Sequence, residues 1–389
     1  MSISVNARKT INILGATGSI GNSTIDVIKQ SDQDYKVIAL TADKNFSELA
    51  KLAIETKAQY AVIADDKYFK DLKSALAGSK VKAMSGSSSI EEVAAMGADW
   101  TMSAINGSAG LAPTHAAVKC GKTVALANKE SLVCAGNLLM NEVKKYGTNL
   151  IPVDSEHNAI FQVLDQNNQS AVERIILTAS GGPFRGYDKK QLENVTLEQA
   201  LKHPNWNMGQ KITIGSATMM NKGLELIEAH YLFSIDHKNI EVVIHPQSII
   251  HSMVGYIDGS VLAQMGSADM RIPIANALAW PKRINTNCQK LDFTKITDLN
   301  FSQVDNKIFP SIDLARKAIE IGDCGSIIFN SANEIAIDQY LSGNIKFTDI
   351  FKIVADSLDN IPPEKINNFD DVYNMISKSE NFINKSLDN

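Results

Sequence analysis

The stretch INILGATGSIGNSTIDVI, residues 11–28, constrains the fold more than any other. A short apolar run ends at Gly15, and Gly15, Gly18 and Gly21 lead as G-x-x-G-x-x-G into a helical pattern over Ser19–Gln30. Glycines at this spacing permit a tight strand-to-helix turn. They also let backbone N–H groups and the helix N-terminus approach a pyrophosphate. A tight turn without a ligand would have the same spacing, so the context has to decide.

That context is a run of α/β units. Strands are expected at Thr10–Leu14, Lys36–Thr41, Tyr60–Ala64, Trp100–Ser103, Thr123–Ala127 and Asn149–Val153, with a weaker one near Val81–Met84. Helical patterns such as Ser19–Gln30 and Phe46–Thr56 lie between them. Such alternation implies a parallel sheet covered on both faces, with ligands bound beyond the carboxyl ends of its strands. The second strand ends in ALTADKN. An acid about 20 residues past the glycines ordinarily holds the ribose hydroxyls of NAD, which points to Asp43, whereas Lys44 beside it suits a 2′-phosphate.

Composition narrows the class. At 389 residues the chain is long for one core, and two or three domains are expected. A formal net charge of −5 argues against a nucleic-acid or anionic-membrane surface. No uninterrupted apolar run reaches the roughly 18 residues of a spanning helix, and the first residues lack the apolar core of a signal peptide. Cys120, Cys134, Cys288 and Cys324 form no CxxC pair, as in a cytoplasmic protein with reduced thiols.

The middle of the chain changes character. Glu173–Thr178 is an expected strand before the turn cluster SGGPFRGY, and SMVGYIDGSVLAQM reads as two strands joined by a type I′ turn at Asp258-Gly259. An α+β domain with antiparallel strands therefore fits residues 154–280. Residues 281–309 are polar and weakly periodic, as in a linker, and residues 310–389 carry helix periodicity without a strong strand.

The chemistry-bearing residues cluster in a few words. VDSEH places Asp154 and Glu156 at a strand end, where residues i and i+2 point the same way. Two carboxylates about 4 Å apart repel by roughly 4 kcal/mol at an effective dielectric of 20, so a proton or a cation is required. ANKESLV puts Asn128, Lys129 and Glu130 at the next strand end along. In SATMMNKGLELIEAHYLF a helix is expected from Ser216 as N-cap. Asn221, Lys222 and Glu225 then share an arc of roughly 100°, opposite Met219, Met220, Leu224, Leu226 and Ile227, which pack as core. The polar arc is a solvated face or, with Ser180 from the TASGG turn, an anion site. Asp154, Glu156 and Glu225 form a candidate metal set, and oxygen-only ligands favour Mg²⁺ or Mn²⁺. HPNWNMG offers His203 and Trp206, the latter a core anchor or a movable lid. His245 and His251 are read as structural.

Taken together, GATGSIG, ANKESLV, PVDSEHNAIFQ, LTASGGPFR, HPNWNMGQKITIGSATMMNKGLELIEAHYLF, HPQSIIHSMV and NSANEIA resemble, in order and across nearly the whole chain, the 1-deoxy-D-xylulose 5-phosphate reductoisomerase family. The resemblance implies an α/β architecture: a Rossmann-like NADPH-binding domain (1–153), an α+β catalytic domain (154–280), a linker (281–309) and a C-terminal helical domain (310–389), assembled as a homodimer. It implies NADPH- and metal-dependent conversion of 1-deoxy-D-xylulose 5-phosphate to 2-C-methyl-D-erythritol 4-phosphate, in the non-mevalonate route to isoprenoids. By motif, Asp154, Glu156 and Glu225 resemble the metal ligands, and Lys129 and Ser155 the contacts to the reacting oxygens. Ser180, His203, Ser216, Asn221 and Lys222 resemble the other substrate-binding positions, mostly around the phosphate. Thr17, Gly18, Ser19, Ile20, Lys44, Asn45, Asn128, Glu130 and Gly209 resemble the cofactor positions, with Trp206 on a flap over the substrate.

Two positions depart from the family pattern: Gly215 stands where an Asp is usual, which is expected to loosen the helix start, and Asp43 stands where Gly is common. The matches at Lys44 and Asn45 favour NADPH over NADH. Rival readings are a semialdehyde dehydrogenase, which needs an activated cysteine that no motif here supplies, a non-redox metal-dependent aldolase or isomerase, and an NADP-binding sensor without turnover.

Overall fold

The computed structural model describes residues 8–202, Trp206 and 209–387. It divides into two compact units, one of residues 1–128, 141–154 and 269–289, the other of 129–140, 155–268 and 290–389.

The first unit is built on seven parallel strands: β1 (Lys9–Leu14), β2 (Tyr35–Ala42), β3 (Tyr60–Ile63), β4 (Lys82–Ser85), β5 (Trp100–Ser103), β6 (Thr123–Leu126) and β7 (Asn149–Pro152). Their order is β4-β3-β2-β1-β5-β6-β7. Every expected strand is present, with ends that differ by at most one residue. Ile11, Ile13, Leu40, Val62, Trp100 and Met102 are fully buried, as both-face burial of a parallel sheet demands. Each such side chain contributes about 1.5–3 kcal/mol by leaving water. The helices α1 (Ser19–Gln30) and α2 (Phe46–Glu55) follow β1 and β2. The strand order reverses between β1 and β5, and the glycine turn lies at that switch point.

The helix Arg271–Ala279 also belongs to this unit. Arg271 bonds Asp26 on α1 at 2.9 Å and Asp269 at 2.6 Å. At its other end the carbonyls of Ala277 and Leu278 accept from Trp100 Nε1 at 3.0 Å and Lys9 Nζ at 2.7 Å. The sequence shows no sign of this return, because its bonds join residues that are far apart in the chain.

The second unit contains α3 (Glu130–Tyr146), whose C-terminal end leads into the first unit, and α4 (Ser155–Val163). Its sheet comprises β8 (Val172–Ala179), β9 (Ile240–Ile244), β10 (Ile250–Tyr256), β11 (Val261–Met265) and β12 (Ser302–Gln303), in the order β11-β10-β8-β9-β12. The sheet is mixed rather than antiparallel throughout, since β8 and β9 run parallel. The β10–β11 turn is not type I′: Gly259 alone of its residues has positive φ, and its N–H bonds the Tyr256 carbonyl at 2.9 Å. This is the pattern of a type I turn followed by a left-handed glycine. Between β8 and β9 lie α5 (Gln210–Ala217) and α6 (Met220–Leu232). After β12 come α7 (Ser311–Ile321), α8 (Asp323–Leu341) and helices at Asp349–Asn360 and Phe369–Leu387. Ile160, Ile175, Leu177, Leu226, Ile240, Val254 and Ile312 form one buried cluster, so α4, α6 and α7 share a core with the sheet.

Candidate active site

Two local expectations change once the backbone is seen. Glu156 is not on a strand: β7 ends at Pro152 and Glu156 lies in the first turn of α4, which opens at Ser155. The alternation argument for Asp154 and Glu156 therefore fails. Nor is Ser216 an N-cap. It belongs to the last turn of α5, and the chain breaks at Thr218 and Met219 before α6 begins at Met220. Met219 turns the chain with φ +60°. Gly215 is accordingly inside α5 rather than at a helix start. A Cβ there would meet Asn221 Cβ at 3.5 Å, an ordinary contact.

The polar arc of α6 is not a solvated face. Lys222 is 5% exposed and Glu225 1%. Buried charges of this kind persist only when paired, and here they are. Lys222 Nζ donates to Glu156 Oε1 at 2.9 Å and to Glu225 Oε2. Lys129, just before α3, donates to Asn221 Oδ1 at 2.9 Å and lies 3.5 Å from Glu225 Oε1. Asn221 Nδ2 donates to that same Glu225 oxygen at 2.5 Å, and Ser155 Oγ donates to Glu156 Oε2. Asp154, joined by its peptide bond to the first residue of α4, completes a trio with Glu156 and Glu225 whose ligand oxygens lie within 4.8 Å of one another. Three carboxylates against two ammonium groups leave an excess negative charge, and all three offer hard oxygen donors, so the set fits a divalent cation such as Mg²⁺ or Mn²⁺.

A second possible group, Asp154, His157 and Glu228, includes a histidine that already serves as a strut. His157 Nε2 donates to the Glu225 carbonyl at 2.9 Å, and its Nδ1 lies 3.4 Å from Glu228 Oε2. Sequence reasoning missed both His157 and Glu228. Their signal was present as charged or polar residues one position after Glu156 and three after Glu225. His251, read as structural, lies with its ring centroid 6.2 Å from that of Trp206. Burial lowers its pKa against the opposing pull of Glu156.

Ser180 accepts the Gly182 N–H at 3.3 Å in the turn after β8, and Ser216 lies on α5. His203 lies outside the described residues. Gly209 is the N-cap residue of α5 and Glu130 the first residue of α3.

The glycine turn of the first unit has the form of a cofactor cradle. Gly15 has φ +88°, and a Cβ there would lie 2.5 Å from the carbonyl oxygen of Ala104 after β5. A Cβ on Gly21 would lie 2.4 Å from the Gly15 oxygen, so α1 packs this close to the turn because residue 21 is glycine. Gly15 N–H bonds Thr41 Oγ1 at 2.9 Å, and Gly18 N–H bonds the Gly15 carbonyl at 3.1 Å. Gly18 is the N-cap residue of α1 and has no side chain to offer, which leaves the first-turn N–H groups at Ser19 and Ile20, next to Thr17, for a ligand. Asp43 and Lys44 are exposed and 3.9 Å apart, so the lysine partly offsets the acid. Asn45 Oδ1 caps α2 through Glu48 N–H at 3.2 Å. Asn128 Nδ2 donates to the carbonyls of Ile105 at 2.6 Å and Gly107 at 2.9 Å, fixing the loop after β5.

A dinucleotide cradle at the switch point of a parallel sheet and a buried carboxylate–lysine cluster define a nicotinamide-dependent oxidoreductase with an acid-rich site. The comparisons with known proteins narrow this class. A family model for 1-deoxy-D-xylulose 5-phosphate reductoisomerase matches residues 11–136, and two models for its C-terminal domains match 150–233 and 265–381. The reductoisomerase of Zymomonas mobilis is 54% identical over 94% of each chain, and that of Rhodospirillum centenum 48% identical over 94% of this chain and 90% of its own. The solved Z. mobilis structure in complex with NADPH superposes with a TM-score of 0.92 at 51% identity, covering 98% of this chain and 99% of its own. A reductoisomerase complex with NADPH, fosmidomycin and magnesium gives 0.94 at 40% identity over 98% of each chain. The chain belongs to the 1-deoxy-D-xylulose 5-phosphate reductoisomerase family.

Proposed function

We propose that the protein converts 1-deoxy-D-xylulose 5-phosphate to 2-C-methyl-D-erythritol 4-phosphate by isomerisation and NADPH-dependent reduction, in non-mevalonate isoprenoid precursor synthesis. One observation carries the reading: the buried Lys222 ammonium is shared between Glu156 and Glu225, with Lys129 and Asn221 on the same carboxylate. Asp154, Glu156 and Glu225 would hold the divalent cation. Thr17, Gly18, Ser19, Ile20, Asp43, Lys44, Asn45, Asn128, Glu130 and Gly209 would hold NADPH. When bound, the cation supplies Lewis-acid polarisation of the substrate oxygens and NADPH supplies the hydride.

The chain's own residues do the rest. Lys129, 12% exposed at its side chain, stabilises negative charge developing on a substrate oxygen in a setting with little competing water. Ser155 hydrogen-bonds the reacting oxygens. Ser180, His203, Ser216, Asn221 and Lys222 bind the phosphate end, and this remote contact supplies binding energy for orientation. Trp206 covers the substrate and excludes water.

The first unit is proposed as the NADPH-binding domain and the second as the catalytic domain, in a cytoplasmic homodimer without nucleic-acid or membrane partners. Among the described residues no helix is long and apolar enough to cross a membrane. The edge strand β11 and its turn expose Ile257, Val261 and Leu262, which suits a second copy of the chain.

The test is loss of NADPH absorbance on adding 1-deoxy-D-xylulose 5-phosphate with Mg²⁺ or Mn²⁺. Substrate-dependent oxidation, abolished by chelator and with higher kcat/KM for NADPH than NADH, is expected. Consumption of substrate without NADPH loss would overturn the reading, and equal rates with NADH would overturn the cofactor assignment.

A further inference from the structure

Three segments that carry proposed phosphate donors meet at residues 216–219. Helix α5 ends there with Ser216, and α6 begins just beyond, ahead of Asn221 and Lys222. The turn after β8 that carries Ser180 abuts the same place: a Cβ on Gly182, where φ is +65°, would lie 2.9 Å from the Ser216 carbonyl oxygen.

Thr218 holds this junction and is fully buried. Its hydroxyl donates back to the Ile214 carbonyl at 2.9 Å, with the Gly215 carbonyl at 3.1 Å, and accepts the Met220 N–H at 3.3 Å. A single hydroxyl thus closes the last turn of α5 and opens the first turn of α6. The N-cap residue Met219 provides no side-chain cap of its own. A non-glycine residue at positive φ persists only where its surroundings over-determine it. Here α7 supplies part of that constraint, since Ser311 Oγ donates to the Thr218 carbonyl at 2.7 Å. Gly223 lets α7 and α8 approach, because a Cβ there would lie 3.0 Å from the Ser311 carbonyl oxygen and 2.9 Å from Phe329 Cζ.

We propose that Thr218 is a positioning residue for the substrate's phosphate group: its hydroxyl sets the spacing of Ser216 on α5 against Asn221 and Lys222 on α6. Ser311 acts through it from the C-terminal helices. The inference rests on the reading of Ser180, Ser216, Asn221 and Lys222 as phosphate donors.

The test compares Thr218→Val, which keeps the shape and removes the hydroxyl, with Thr218→Ser, which keeps the hydroxyl. Thr218→Val is expected to raise KM for 1-deoxy-D-xylulose 5-phosphate and the inhibition constant of inorganic phosphate about tenfold each. Its kcat is expected to fall less than about threefold and its KM for NADPH to stay within about twofold, because most of the proposed cofactor positions, Thr17–Ile20, Asp43–Asn45 and Asn128, belong to the first unit. Thr218→Ser should restore every constant to within about twofold of wild type, and Ser311→Ala should shift the two phosphate-dependent constants in the same direction by less. Unchanged substrate KM and phosphate inhibition in Thr218→Val would overturn the proposal. So would equal damage to kcat and NADPH affinity, or failure of Thr218→Ser to rescue. If Thr218→Val does not fold, Ser311→Ala carries the same comparison. If the wild type does not turn the substrate over, the functional reading fails first, and calorimetric binding of inorganic phosphate to the same variants still decides the role of Thr218.

Discussion

Lys222 keeps an ammonium group almost wholly out of water because Glu156 and Glu225, on two elements, accept its hydrogen bonds. Removing one partner of such a buried pair costs about 3–5 kcal/mol, mostly from the charge left behind. Glu225→Gln preserves shape but removes a carboxylate that Lys222, Lys129 and Asn221 all approach. The expected result is a loss of turnover on the order of 10³-fold or more together with a lower melting temperature. NADPH affinity, followed by fluorescence, should stay within about threefold because Glu225 is not among the proposed cofactor positions, most of which belong to the first unit. Near-normal turnover would remove Glu225 from the metal set. The residue types at 154, 156, 222 and 225 made this cluster legible, since acids and a lysine in otherwise apolar words need partners. Their burial was not legible, because it comes from α4 packing within the same core as α6, which no local window contains.

At the scale of elements, the parallel strands could be read because both faces are buried and their words are continuously apolar. The break between α5 and α6 could not. It is made by Thr218 and Met219, neither of which signals a left-handed turn as glycine would. Another link between elements is equally silent in the sequence. Thr10 on β1 donates through its N–H (3.0 Å) and hydroxyl (2.8 Å) to Asp99 Oδ2, and its hydroxyl accepts the Asp99 N–H at 2.8 Å. The two bonds from Thr10 hold the Asp99 carboxyl below its usual value of 3.8. A carboxylate depressed in the folded state adds stability above its unfolded pKa and loses it as pH falls through the folded one. Asp99→Asn should therefore be less stable at neutral pH by about 0.5–1 kcal/mol, a modest figure because the group is partly solvated. The thermal-unfolding curves of the two proteins should converge below pH 3.8, and a gap that persists in acid would disprove the charge-based account.

For the whole molecule, Arg271 binds parts of the chain that are remote in sequence. Its fork grips Asp26 on α1 and Asp269 beside its own helix, so α1 is braced by residues that follow β11 in the chain. Arg271→Leu is expected to destabilise the protein by about 1–3 kcal/mol and to weaken NADPH binding more than it slows kcat. A variant with unaltered melting temperature and NADPH KM would show that the brace is idle.

The return of residues 269–289 to the first unit has a consequence during biosynthesis. When β7 has left the ribosome, all seven strands of the first sheet exist, yet α1 still lacks its Arg271 brace, and the partners of Lys9 and Trp100 have not been made. At about 5–20 residues per second those partners arrive roughly 6 to 25 seconds later, after residues 155–268 of the second unit have been made. A nascent chain halted after β7 would therefore expose the surface that the Arg271–Ala279 helix later covers. The price of drawing one unit from separated stretches of chain is thus a face that stays open until residues 269–289 are made.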